Sequence, residues 1–242
     1  YPRGIGKVRG CCYYGGIGGI MNGIEHLLGK VHNVDALEFM KQLPDKCVDI
    51  VACDPPYGMA YESNRYKGDN PFGAIKGDDK YPAHKIPEFK RIARKAVFCF
   101  CRWDNLTEVE KPKSFIVWAK NNWSAGDLYH EYGRMWEGIL FYPMENHAFK
   151  TRQPDVIDFS RVAPTDLVHP TQKPVALMEM LIENNTEPGD IVFDPYAGSY
   201  TTGVAAERLG RRHFGCELEP KYVEIANRRI LQEKNQLKLF TT

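Results

Sequence analysis

Asp54-Pro55-Pro56-Tyr57 is the first of two short segments whose residue types could do chemistry, and it directly follows a β-branched run at 48–53. The two prolines fix the backbone φ and restrict the residue before them, so an acid and an aromatic ring are presented in a rigid turn. Asp54 and a backbone carbonyl could accept hydrogen bonds from an exocyclic amine, while Tyr57 could stack on a planar base. The residues alone leave open a structural alternative, a capped turn with a half-buried tyrosine.

The second segment runs from Asp194 to Thr202 and begins a predicted helix with small residues. Glu217 follows nineteen positions after Gly198. In a doubly wound sheet, a small-residue turn lets the backbone approach a ligand, and an acid about 20 residues later binds ribose hydroxyls. The full glycine set that cradles phosphates is missing, which favours a nucleoside without a pyrophosphate. A plain strand–turn–helix packing contact is the alternative that the residues leave open.

The elements that must position these segments alternate along the chain. We predict strands at 48–53, 96–101, 114–119, 136–142, 190–193 and 212–216, and helices at 86–95, 175–188, 201–209 and 220–232. The regions 58–87 and 143–168 are predicted to be a long loop and an irregular segment. Such alternation favours an open, mainly parallel α/β sheet with helices on both faces.

Composition narrows the class of protein. The chain has 242 residues of ordinary composition, which excludes a disordered chain and a coiled coil. Its 32 Lys and Arg are balanced by 31 Asp and Glu, which excludes a strongly basic nucleic-acid coat. It contains no run of about 18 apolar residues and no signal-peptide pattern, which predicts a cytoplasmic protein without a membrane partner. The seven cysteines lack zinc-ligand spacing, so we expect reduced thiols and no metal.

Four ordered motifs carry a resemblance to a known family. They are CDPPYG at 53–58, HPTQKP at 169–174, FDPYAGSYTTG at 193–203 and FGCELEPKYVEIANRRI at 214–230. With them the chain resembles the N4/N6 amino-methyltransferases of DNA from about residue 31 to 231. The catalytic tetrapeptide precedes the cofactor turn, as in the permuted β class of this family.

The resemblance implies a Rossmann-like, doubly wound mixed sheet, that is, a circularly permuted class I methyltransferase fold. It also implies a division of the chain into a glycine-rich arm at 1–30 and a single domain at 31–242. Within that domain we expect a catalytic half at 31–119, a short target-recognition insertion at 120–168 and a cofactor-binding half at 169–242.

By the same resemblance, the cofactor is S-adenosylmethionine. It would lie against Asp194, Pro195, Tyr196, Ala197, Gly198 and Ser199, with Glu217 on its ribose and Asp35 near its adenine. His169, Thr171 and Lys173 would fold over its methionine end, where Lys173 could hold the carboxylate as a point charge. Asp54 and the Pro55 carbonyl, in the turn rigidified by Pro56, would hold the amino group of a flipped-out base, on which Tyr57 would stack.

The implied activity is methyl transfer to N6 of adenine in DNA, because Asp rather than Ser begins the catalytic tetrapeptide. Two alternatives stay open: N4 methylation of cytosine, and a non-catalytic DNA-binding or scaffold subunit that retains the fold. The second is suggested by Tyr200, which stands where relatives have a further glycine and could narrow the pocket or point away.

The implied partner is duplex DNA with the target base flipped out. Residues 61–95 hold nine Lys and Arg against five Asp and Glu, which predicts a phosphate-binding patch. Residues 120–168 are mildly acidic, with five Lys and Arg against seven Asp and Glu. This weak charge favours help from a homodimer or a second subunit, while the existence of a restriction partner is left open by the sequence.

Overall fold

The structure is a computed structural model that describes residues 23–59, 77–122, 129–130, 132–145, 147–163 and 165–240. Within these ranges the strands are β1 Val31–Asn33, β2 Val48–Cys53, β3 Ala93–Cys101, β4 Ser114–Ala119, β5 Trp136–Pro143, β6 Val156–Asp158, β7 Ile191–Asp194 and β8 Arg212–Glu217. The α-helices are α1 Ala36–Met40, α2 Ile86–Ile92, α3 Val175–Glu183, α4 Thr201–Arg208 and α5 Pro220–Phe240. Short 3₁₀ turns lie at Glu25–Leu27, Ala83–Lys85 and Trp103–Thr107.

The described strands form one sheet in the order β1-β8-β7-β2-β3-β5-β4-β6. All neighbouring strands run parallel except at β5, which is antiparallel to both β3 and β4. The prediction of a mainly parallel α/β sheet is therefore confirmed.

The direction of winding reverses between β7 and β2. From β7 the chain passes through α4 to β8 on one side, and from β2 it passes through α2 to β3 on the other. The two strands meet where Ile50 pairs with Val192 and Val51 with Phe193. In open α/β sheets, ligands bind outside the carboxyl ends of the strands at such a switch point. Both chemistry-bearing turns follow these two strands.

Helices cover both faces of the sheet, as predicted. Alternate residues of β2 point to opposite sides: Val51 and Cys53 pack in the hydrophobic cluster that includes α1 and α2, and Ala52 packs in the cluster that includes α3 and α4. All six residues of β2 are buried. This double burial explains why the strand is a continuous apolar run interrupted only by Asp49.

The last helix, α5, packs beside β1 at the edge of the sheet. The Asn227 side chain brackets Val31, accepting from its backbone N at 2.8 Å and donating to its carbonyl at 3.1 Å. Further along α5, Lys234 Nζ lies only 3.0 Å from where a Cβ at Gly29 would be. The later turns of α5 thus lie beside the start of β1.

Some predicted boundaries were wrong. The helix predicted at 86–95 ends at Ile92, because Ala93 already pairs with Val48 as the first residue of β3. The helix predicted at 175–188 ends at Glu183, and α5 continues to Phe240. The irregular segment contains β6, a short edge strand beside β4.

The amino-terminal boundary also differs from the expected one. Ile24 and Leu27 are buried in the core, and Gly29 N donates to the His213 carbonyl at 2.6 Å. Residues 23–30 therefore belong to the domain and not to an arm, while residues 1–22 lie outside the described residues. In the described part of the chain, no helix is both long and apolar enough to cross a membrane. The five cysteines described there are free and buried.

Candidate active site

The catalytic turn is held from both sides. Asn105, which follows the carboxyl end of β3, donates from Nδ2 to the Tyr57 carbonyl at 3.1 Å. The buried Asp78 carboxylate accepts from Gly58 N at 2.8 Å. Gly58 has φ +77°, and a Cβ there would lie 2.7 Å from Tyr81 N. The turn after β2 is thus fixed by long-range contacts as well as by its prolines.

Asp54 lies at the centre of a charged cluster. Its Oδ2 pairs with Lys173 Nζ, and its Oδ1 accepts from the Tyr57 hydroxyl at 2.7 Å. The same hydroxyl lies 3.0 Å from Glu137 Oε2, and Lys173 Nζ lies 3.2 Å from that oxygen. Lys120 pairs with the other oxygen of Glu137. Two carboxylates and the Lys173 ammonium group therefore surround one phenol.

Charge pairing outweighs burial for two members of this cluster, Glu137 and Lys173. Burial alone would raise the pKa of Glu137, but the ammonium groups of Lys173 and Lys120 hold it at about 2. Burial would lower the pKa of Lys173, yet the two carboxylates raise it above its ordinary value. For Asp54, burial together with the nearby Glu137 charge raises the pKa despite Lys173. Glu137 and Lys173 are therefore both charged at neutral pH.

The cofactor turn follows β7 and is built from backbone contacts. Asp194 Oδ1 accepts from Tyr196 N at 2.9 Å, and Pro195 is buried behind the turn. Gly198 takes φ +51°, a left-handed conformation that glycine adopts without strain. A Cβ at Gly198 would lie 3.4 Å from His169 Nε2. The HPTQKP segment thus lies directly over this turn.

Glu217 links the end of β8 to the same turn. Its Oε2 accepts from Gly198 N at 2.9 Å, and its Oε1 accepts from Glu219 N at 2.8 Å. Burial raises the pKa of Glu217 and raises that of Asp194 to about 7. Both acids lie at the carboxyl ends of the paired strands β7 and β8, where Asp194 pairs with Gly215 and Glu217 follows two residues later.

The HPTQKP segment contributes three different contacts. The His169 ring packs edge-on against Tyr222 at 4.3 Å, and burial lowers its pKa to about 3, so it is neutral at pH 7. The Thr171 hydroxyl lies 3.2 Å from His169 Nδ1. Lys173 points to Asp54 and Glu137. In this structure, its partners are carboxylates of the catalytic cluster.

An open cleft joins the two turns. Its lining includes Asp54, Phe100, His169, Lys173, Asp194 and the residues from Tyr196 to Ser199. Tyr196 and Thr201 also belong to the lining, although their hydroxyls are buried and have no hydrogen-bond partner among the described residues. The small-residue turn at Gly198, with the acids Asp194 and Glu217 beside it, fits a polar ligand such as S-adenosylmethionine.

Asp35 lies apart from the cleft lining. It begins α1, where its Oδ1 accepts from Leu37 N at 2.9 Å and from Glu38 N at 3.1 Å. Its other oxygen lies 3.8 Å from Lys85 Nζ, and Lys85 in turn lies over the Tyr196 ring at 5.4 Å. Asp35 is thus the N-cap of α1. Its other oxygen is linked to Tyr196 of the cofactor turn through Lys85.

Tyr200 points away from the cleft. It has φ +63° and is only 1 % exposed, packed with Val31, Val204 and Ala226. It is absent from the residues that line the cleft. Of the two possibilities that the sequence left open, the structure selects the one in which the tyrosine does not narrow the pocket.

The predicted phosphate-binding patch needs correction where it is described. Lys90 pairs with Glu110, Arg91 with Asp45 and Glu88, and Arg94 and Lys95 with Asp49. Arg94 and Lys95 also lie at the amino end of β3, whereas the catalytic turn follows the carboxyl end of the neighbouring strand β2. These cations are neutralised within the fold. Arg65, Lys67 and Lys76 lie outside the described residues.

The sequence motifs do not identify Glu137 and Lys120 as residues of the site. Glu137 lies on β5 and Lys120 directly follows β4, and both fall within residues 120–168, the segment expected to serve target recognition. Ile139 and Leu140 of that segment are fully buried in the sheet. The sequence feature that could have identified Glu137 is an acid inside a predicted strand, followed by apolar residues on both faces of that strand.

Comparison with known proteins agrees with this geometry. The sequence profile of the N6/N4 DNA methylases matches residues 48–228. DNA adenine methyltransferase YhdJ of Escherichia coli K12 is 29% identical over 81% of this chain and 80% of its own length. Type II methyltransferase M2.DpnII of Streptococcus pneumoniae is 35% identical over 49% of this chain and 42% of its own length.

Solved structures share the fold. The M1.HpyAVI–SAM complex superposes with a TM-score of 0.60 at 26% identity, covering 83% of this chain and 98% of that one. The cytosine-N4-specific PvuII DNA methyltransferase superposes with a TM-score of 0.58 at 16% identity, covering 86% and 93%. The sheet is therefore that of the class I methyltransferases, with a motif order that fits the permuted class. With its motifs, its sheet and a profile match over most of its length, the chain belongs to the N6/N4 DNA methylase family, whose cofactor is S-adenosylmethionine.

Proposed function

We propose that the protein methylates N6 of adenine in DNA. The observation that carries this proposal is the meeting of two motifs in one cleft: Asp54 of the catalytic turn and the cofactor turn at 194–199 lie side by side at the switch point of the sheet. The adenine specificity of YhdJ and the aspartate at the first position of the tetrapeptide support N6 over N4.

The catalytic turn binds and activates the amino group. The lone pair of an exocyclic amine is delocalised into the ring, and two acceptors that pull its nitrogen toward tetrahedral geometry make it a better nucleophile. Asp54 and the Pro55 carbonyl are those acceptors in the proposal. The Asp54 side chain is 19% exposed, so a base that leaves the helix can reach it. Tyr57 offers the ring on which that base stacks.

The cofactor turn holds S-adenosylmethionine in the proposal. Asp194, Gly198 and Ser199 approach it through the backbone, and Tyr196 and Thr201 line the same cleft. Glu217 binds the ribose, and His169 and Thr171 close over the turn. Asp35, which is linked to Tyr196 of the cofactor turn through Lys85, is the acid proposed to lie near the adenine of the cofactor. When bound, the cofactor supplies an activated methyl group on a sulfonium.

Orientation is the main contribution of the chain to the rate. Holding donor and acceptor in line converts a bimolecular step into an effectively unimolecular one. The two turns can do this because the strands that carry them are hydrogen-bonded neighbours in the sheet. Duplex DNA with a flipped base is the proposed substrate, and a homodimer or second subunit that helps to hold it stays a prediction.

The experiment is incubation with S-adenosylmethionine and genomic DNA free of methylated bases, followed by nucleoside mass spectrometry. We expect N6-methyladenine from the wild type and none from Asp54→Ala. Glu183→Ala, which changes an exposed acid at the end of α3 and away from the cleft, is the matched control and should keep full activity. N4-methylcytosine as the product would favour the cytosine alternative. No methylated base from a folded wild type would favour the scaffold alternative.

A further inference from the structure

Glu137 is the second carboxyl group of the charged cluster around Tyr57, and the proposed reaction gives it no role. It lies on β5, 80 positions from Tyr57 along the chain. Its side chain is only 20% exposed, and that of Lys120, which pairs with its Oε1, is 9% exposed. A buried acid costs free energy unless it is paired, so this ion pair is a built feature of the pocket and not a surface contact.

Both oxygens of Asp54 are engaged by internal partners. Oδ1 accepts from the Tyr57 hydroxyl at 2.7 Å, and Oδ2 pairs with Lys173. A substrate amino group that binds Asp54 competes with them for the lone pairs of its carboxylate and can displace one of them. A displaced buried hydroxyl or ammonium without another acceptor would oppose substrate binding, because unpaired buried polar groups are costly.

Glu137 Oε2 is the acceptor that both partners can use instead. It lies 3.0 Å from the Tyr57 hydroxyl and 3.2 Å from Lys173 Nζ. The tyrosine hydroxyl has one hydrogen and two carboxylates within reach, so it can pass from Asp54 to Glu137 by rotation about its C–O bond. No heavy atom has to move for this exchange.

We propose that Glu137 is a positioning residue that takes over the Tyr57 hydroxyl, and holds Lys173, when the substrate amino group binds Asp54. This inference rests on the proposed function of Asp54. Lys120 fixes the outer oxygen of Glu137 and so keeps Oε2 turned toward the cluster. Because Glu137 keeps the phenol in place, the Tyr57 ring stays oriented for stacking while Asp54 becomes free to accept.

The test is a double-mutant cycle between Glu137→Gln and Tyr57→Phe. Glu137→Gln should lower the rate constant of methylation at saturating cofactor at least tenfold, with S-adenosylmethionine affinity by calorimetry unchanged within twofold. In the Tyr57→Phe background there is no hydroxyl to transfer. We therefore expect the further loss caused by Glu137→Gln to shrink to threefold or less.

Controls separate the possible outcomes. Glu183→Gln, an exposed acid at the end of α3 and away from the cleft, should have wild-type activity. Glu137→Asp keeps the charge but shortens the reach, and it replaces Glu137→Gln in the cycle should that variant fail to fold. Independent, multiplicative losses in the cycle would overturn the inference while leaving the proposed function intact. A folded wild type that forms no N6-methyladenine would instead overturn the proposed function.

Discussion

The hydroxyl of Tyr200 lies 2.9 Å from Nδ1 of His213, in the buried space beneath the cofactor turn. His213 Nε2 in turn lies 2.9 Å from Glu207 Oε2. The tyrosine ring lies against Gly203, where a Cβ would come within 2.2 Å of it. Tyr200 therefore occupies the position of a family glycine by filling a slot under α4.

Removing the Tyr200 ring should destabilise the fold. Tyr200→Gly relieves a left-handed φ but empties the slot, and we expect a loss of about 3 kcal/mol in the free energy of unfolding. Tyr200→Phe loses only the hydrogen bond to His213, about 1 kcal/mol. Urea denaturation measures both losses of stability. Tyr132→Phe is the control, because Tyr132 is 99% exposed. A Tyr200→Gly protein as stable as the wild type would contradict this packing.

Gly203→Ala tests the same contact from the other side. In a helix, alanine is favoured over glycine by about 1 kcal/mol. Here the new methyl group would collide with the Tyr200 ring, so we expect Gly203→Ala to destabilise the wild type. In a Tyr200→Ala background the substitution should become neutral or stabilising. The same destabilisation in both backgrounds, measured by urea denaturation, would show that the ring does not fill this slot.

The stability contribution of Asp194 should depend on pH. Burial raises the pKa of Asp194 to about 7, well above that of an unfolded aspartate, about 3.9. The folded state thus holds this proton more tightly, and the stabilisation is complete below pH ~4 and lost as the pH rises through 7. We expect Asp194→Asn to gain stability relative to the wild type between pH 4 and 8. Urea denaturation of both proteins across this range checks it, and a constant difference would refute it.

Substitution of Arg94 should lower the stability of the fold and leave the salt dependence of DNA binding unchanged. It donates to Asp49 Oδ2 at 2.6 Å, and Asp49 is 2% exposed. Arg94→Met leaves that buried carboxylate with Lys95 as its main cation, and we expect a loss of about 3 kcal/mol. The dependence of duplex DNA affinity on salt, measured by fluorescence anisotropy, should be unchanged.

The control for Arg94 is Lys111→Met, which removes an equal charge at an exposed position. It should leave stability unchanged. A salt slope that falls by about 1 for Arg94→Met would mean that this side chain contacts a phosphate, contrary to its placement at the amino end of β3.

Local sequence determined much of the fold. The run at 48–53 is apolar enough to specify a doubly buried strand, and the motif spacing placed Glu217 beside the turn at Gly198. The end of α2 could not be predicted, because Ala93 leaves the helix to pair with Val48, 45 positions earlier in the chain. Pairing with a distant strand overrides local helix preference.

The charged cluster was beyond local reasoning for the same reason. Lys173 meets Asp54 across 119 positions, and Glu137 meets Tyr57 across 80. The sequence marked Lys173 through its motif but assigned it no carboxylate partner. It marked Glu137 only as one acid in an acidic segment, because the register of β5 against β3 decides which of its side chains reaches the pocket.

The last helix, α5, runs close to the start of β1, where Lys234 lies beside Gly29. Because of this closeness, the order of the elements along the gene could change without changing the chemistry of the protein. A short loop from α5 into β1, with new ends opened elsewhere, would leave every strand neighbour and both turns where they are. Reading the turns in the opposite order along a gene would then yield the same pocket. The pocket therefore depends on which strands are neighbours in the sheet, and the order of the two motifs along the chain does not by itself change it.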